Sequence, residues 1–103
     1  MEGDDQLRDA ALRSIDPERL LPGEERDLRR DDPGDAAHWV AVYGELLDFK
    51  RDLISRLAGR IDTASDAART ELDNDLHLLI AEESRLAQRH LVWSQRAAEL
   101  DDD

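Results

Sequence analysis

Apolar side chains recur along the middle of the chain at the spacing of a helix face. Val40, Leu47, Ile54 and Ile61 repeat every seven residues, Trp39, Leu46 and Leu53 hold the position before, and Tyr43, Lys50 and Leu57 lie between. Steps of three and four place all of these on one side of a helix, and Val42 and Phe49 widen the stripe. The pattern predicts a helix over 35–61, with Asp35 as its N-cap after Pro33-Gly34. Such a helix is roughly 40 Å long. A second series, Leu72, Leu76, Leu79, Glu83, Leu86, His90, Trp93, Ala97 and Leu100, alternates four and three residues without a break. It predicts a helix over 67–100 whose coiled-coil-like seam is interrupted by two polar residues. Thr63 to Asp66 offer capping side chains for a reversal at 62–66.

Charge order sets the direction of the pair. Glu45 and Asp48 come early in the first helix and Arg56 and Arg60 late; Glu71, Asp73 and Asp75 open the second, and Arg85, Arg89 and Arg96 follow. Each order suits its own helix dipole. Folding back at 62–66 sets Arg60 level with Glu71 and Glu45 level with Arg85, and so short a connection demands an antiparallel hairpin. The expected fold is all-α, a two-helix hairpin over 35–100 preceded by an arm over 1–34 and followed by an acidic tail over 101–103. Two rods bury only one narrow strip each, whereas the first helix offers four apolar columns. The surplus, Val42, Leu46, Phe49 and Leu53, predicts a homodimer closing into a four-helix bundle. The alternative is that the arm covers the stripe within one chain.

The arm holds all three prolines and three of the five glycines. Leu7, Ala11 and Ile15 lie at helical spacing, suggesting a short helix over 5–15. Asp16-Pro17 reads as a cap and first turn that Pro22-Gly23 stops, and Glu24 to Asp32 is nearly all charge. Two readings stand: a solvated lead-in, or an ordered arm with Leu20 and Leu21 docked on a neighbour.

Composition narrows the function. The net charge of −12 repels phosphates and anionic lipid. Residues 1–34 carry eleven acidic and six basic groups and the rest fifteen and eight, so neither part is a basic anchor for nucleic acid. With no cysteine, thiolate chemistry and disulfides are excluded. The acidic start has the wrong sign for a signal peptide, and no apolar run reaches membrane length, so a cytoplasmic protein is expected. Thirteen of the fourteen basic residues are arginine, which with abundant Ala and Asp suggests a GC-rich bacterial genome.

His38, Trp39, Tyr43, His90 and Trp93 gather at the open end of the predicted hairpin. Leu20, Leu21, Trp39, Tyr43 and Trp93 are the expected partner-binding residues, because aromatic side chains anchor interfaces; the competing reading is that the rings fill the bundle end with their polar atoms bonded. Glu83 and His90 within the seam are the candidates for a carboxylate–imidazole metal site, with Glu45 or Glu82 contributing. They stand seven residues apart, not in the Glu-x-x-His spacing of bundle di-metal sites, and a Lys50–Glu83 contact is the structural reading. His77 forms a flank pair with Asp73. No glycine-rich phosphate loop or serine nucleophile motif occurs. The sequence therefore predicts a non-enzymatic interaction or oligomerisation module with no cofactor. A helical or basic protein partner fits its charge. A metal- or small-ligand-binding bundle and an acidic nucleic-acid mimic are the alternatives.

Overall fold

Asp32, not Asp35, starts the first long helix. In the computed structural model, which describes residues 19–101, the Asp32 backbone is extended and its carboxylate accepts the Gly34 N–H at 2.8 Å. Pro33 stands at the first helical position, where its missing N–H costs nothing and its fixed φ is already helical. The helix thus begins two residues before the position read from the sequence, and Asp35 becomes a first-turn acid, 3.6 Å from Arg30. Asp32→Ala is expected to lower stability by about 1 kcal/mol, and Asp32→Ser to retain most of it, in urea unfolding. No loss on Asp32→Ala would show that the side-chain cap contributes nothing.

Three helices follow in order: α1, Glu24–Leu28; α2, Pro33–Ile61; and α3, Asp66–Asp101. The α2–α3 turn is closed by backbone bonds from Thr63 to Arg60 and from Ala64 to Ile61. Ser65 then caps α3 by accepting the Ala68 N–H at 3.4 Å. The two long helices form the expected hairpin. Its register is fixed by Trp39 stacking on Trp93, with ring centres 6.0 Å apart, by Lys50 pairing with Glu82, and by Arg51 pairing with Glu83 at 3.2 Å. Lys50 therefore meets Glu82 rather than Glu83, and Glu83 takes the neighbouring arginine.

The core is concentrated at the open end of the hairpin. Ala36, Trp39, Tyr43 and Leu47 of α2 pack against Leu86 and Trp93 of α3, with Leu21 and Leu28 from the arm added to them. Toward the turn the seam leucines Leu72, Leu76 and Leu79 are only half-buried. The expected helix over 5–15 lies outside the described residues. Among the described residues no helix is long and apolar enough to cross a membrane.

Candidate functional site

The stretch that reads as almost pure charge is built around a turn. The Glu24 N–H donates to the Leu21 carbonyl at 3.0 Å, with Pro22 and Gly23 between them. Gly23 has φ 86° and ψ −15°, the third-position geometry of a type II turn, which glycine adopts without steric cost. This turn launches α1. Glu24, Asp27 and Leu28, spaced three and four apart, then share the face turned toward the hairpin.

Glu24 is fully buried. Its Oε1 accepts from the Leu21 N–H at 3.0 Å and from the Tyr43 hydroxyl. Its Oε2 accepts from Trp93 Nε1 at 2.9 Å and from both Nε and Nη2 of Arg89. Five donors from three parts of the chain converge on one carboxylate, with the Arg89 guanidinium neutralising it. Burial pushes the Glu24 carboxyl up, but the bonds from Tyr43, Leu21, Trp93 and Arg89 together hold it below the usual carboxylate range. Burial first, and then the adjacent Glu24 charge, drive the Tyr43 phenol up to about 12.

Asp27 repeats the arrangement one turn later, accepting from Trp39 Nε1 at 2.8 Å and from Arg26 Nε at 3.1 Å. The Trp39 bond is the main cause holding its carboxyl below its ordinary value. Arg96 closes the far end of α1. Its Nη2 donates to the Leu28 and Arg30 carbonyls at 2.8 and 3.0 Å and to Asp31 at 3.1 Å, serving backbone acceptors that a helix end leaves open. The Arg96 guanidinium also lies 5.9 Å from the Trp93 ring centre. Together these contacts form a polar latch: both tryptophan N–H groups and the single tyrosine hydroxyl find their partners on one five-residue helix.

Trp39, Tyr43 and Trp93 are thus enclosed by the chain's own α1, and Leu20 and Leu21 are half-buried. His38 is exposed, with its ring edge-on to Trp39 and the two ring centres 5.1 Å apart. His90 packs against Gly44, where an added Cβ would lie 3.7 Å from its Nε2. The structure does not bring Glu83 and His90 into a ligand set. Among the described residues no group of three or more His, Asp or Glu side chains could hold a metal ion. His77 and Asp73 stand 3.9 Å apart on the surface.

The stripe that widens α2 points elsewhere. Phe49 is 62% exposed and Leu46 is exposed, with Val42 and Leu53 half-buried. Beside them an open groove of about 730 Å³ runs toward the turn, floored by Leu53, Leu57, Leu78 and Leu79. Arg56, Arg60 and Asp75 form its rim. Steps of three and four along α2 (Trp39, Tyr43, Leu46, Lys50, Leu53, Leu57, Arg60) place latch and groove on one face of the hairpin. The α3 series Leu78, Glu82, Arg89 and Arg96 gives the same result. Compared with protein-family models, curated proteins and solved structures, the chain matches none of them.

Proposed function

We propose that this acidic all-α protein is a non-enzymatic interaction module that self-associates through the α2 strip Val42, Leu46, Phe49 and Leu53, two hairpins closing into a four-helix bundle. The exposure of Phe49 and Leu46 on a long, regular helix carries the reading. Each large side chain moved from water into such an interface contributes roughly 1.5–3 kcal/mol. A two-fold axis lets one strip serve both partners. The latch supports the same view from the other end. It uses Trp39, Tyr43 and Trp93 internally, so the large apolar side chains left exposed among the described residues are Leu46 and Phe49 of the strip, with Ile80 and Leu91 on α3. Two copies each carrying −12 repel one another, and added salt therefore strengthens association.

Sedimentation equilibrium from micromolar to near-millimolar concentration tests the proposal. A concentration-dependent species of twice the 11.7 kDa chain mass is expected, and Leu46→Asp with Phe49→Asp should abolish it while preserving helicity. A chain that stays at 11.7 kDa throughout defeats the reading.

A further inference from the structure

The latch limits where a second hairpin can lie. It sits on the face that carries the strip and the groove, and its contacts with Trp39, Tyr43, Arg89 and Arg96 occupy that face at the open end. Toward the turn, Leu46, Phe49, Arg56 and Arg60 are exposed. Among the described residues, the bare part of α2 on this face therefore runs from about Glu45 to the helix end at Ile61. Its midpoint is Leu53.

Charge selects a direction for a second copy laid on that stretch. Glu45 and Arg60 stand at its two ends, both exposed, and neither side chain is in an ion pair among the described residues. A two-fold axis that sets two α2 helices parallel brings each residue to its own copy, acid to acid and base to base. With the helices antiparallel and the axis at Leu53, Glu45 comes level with the partner's Ile61, one position from the partner's Arg60, and symmetry makes the pair twice. Asp52, beside the axis, is already held by its own Arg56 at 3.0 Å. Phe49, at 62% the most exposed of the large apolar side chains, comes level with the partner's Leu57. Leu53 and Leu57, the α2 side of the groove, are covered in the same step. A pairing centred on the strip, with Leu46 against the partner's Phe49, does worse on both counts. It drives the partner's turn over the latch and brings Glu45 near the partner's Asp52.

We propose that two copies meet in a staggered antiparallel pairing, α2 on α2 about a two-fold axis at Leu53, with Glu45 of each bound to Arg60 of the other. Only the turn-side halves of the hairpins overlap, and each latch lies just beyond the other hairpin's turn. This rests on the self-association proposed above and gives it a register.

Two measurements on the full chain test it. Because the chain has no cysteine, a single introduced cysteine reports on its distance from its own copy. Mild oxidation of Leu53→Cys should give a disulfide-linked dimer, since position 53 faces itself across the axis. Leu46→Cys should not, because its copy lies roughly 21 Å away along the helix and a disulfide spans no more than about 7 Å between Cα atoms. Equal yields at the two positions, as a parallel pairing gives, or a higher yield at 46, as the strip-centred one gives, overturn the register. So does the absence of a linked dimer from Leu53→Cys in a chain that still associates. In sedimentation, Arg60→Glu should weaken dimerisation about tenfold, through two pairs turned from attraction to repulsion. Glu45→Arg should weaken it too, although it reduces the net charge that drives the copies apart, and the two changes together should restore most of the affinity. Tighter association of Glu45→Arg, or no recovery in the double variant, overturns the pairing. If the wild type stays at 11.7 kDa, the self-association reading falls and the register with it; if it dimerises and these variants disagree, only the register falls.

Discussion

Glu24→Ala is expected to lower the unfolding free energy by about 3–5 kcal/mol, the cost of removing one partner from a buried ion pair. The substitution leaves Arg89, whose side chain is only 11% exposed, without its counter-charge. It also strands the Trp93 N–H, the Tyr43 hydroxyl and the Leu21 N–H. Each neutral donor left unpaired in the interior costs about 1–3 kcal/mol unless water reaches it, so the loss should lie toward the upper end of the buried-pair range. Against a typical total stability of about 5–15 kcal/mol, such a loss is large. It should appear in urea unfolding followed by tryptophan fluorescence and in a weakened near-ultraviolet signal from the Trp39–Trp93 stack. Glu24→Gln keeps the shape and an acceptor for Arg89 but turns an amide N–H₂ toward Leu21, and should lose roughly half as much. Adding Arg89→Leu to Glu24→Ala should restore part of the loss, because no buried charge then remains unpaired. If the alanine variant loses less than about 1 kcal/mol, well under the buried-pair range, the carboxylate does not hold α1 in place.

The hairpin was legible because its information is local and periodic. Val40, Leu47 and Ile54 define one helix face, Leu72 to Leu100 define the other, and a connection of only four residues, 62–65, leaves one direction of return. The start of α2 was misplaced by two residues because two aspartates flank Pro33-Gly34, and the proline belongs inside the helix rather than before it. The latch was not legible. Its inward residues are charged, and a run such as Glu24-Glu25-Arg26-Asp27 follows the rule for solvated segments unless buried donors are known to await it. Those donors belong to Trp39, Tyr43, Arg89 and Trp93, which are 12 to 69 residues away from their acceptors. A signal did exist. Three aromatic side chains with polar tips at one end of a bundle need acceptors, and Asp27 and Leu28 follow Glu24 by three and four residues behind a Pro-Gly turn. The aromatic cluster was placed correctly at the open end, but which surface would cover it could not be read from either helix alone.

The same chemistry makes stability depend on pH at both ends of the scale. The Tyr43 pKa is raised from 10.0 to about 12, so its contribution is complete below pH 10 and is lost as pH rises through 12. A rise of that size corresponds to roughly 3 kcal/mol of differential interaction. Glu24 and Asp27 are shifted down, so their contributions are complete above the unfolded values of 4.5 and 3.8 and disappear as pH falls through the lower folded ones. Stability should therefore be level from about pH 5 to pH 10 and fall on both sides. The tyrosinate signal can be assigned without ambiguity, since Tyr43 is the only tyrosine. Its tyrosinate absorbance should develop near pH 12 in the folded protein and near pH 10 in urea. Tyr43→Phe should make the alkaline fall in stability markedly shallower. Glu24→Gln should move the midpoint down only part of the way, because burial, the larger cause, remains when the neighbouring charge has gone. A phenol that titrates near pH 10 in the native chain would place Tyr43 in water and leave the Glu24 latch open.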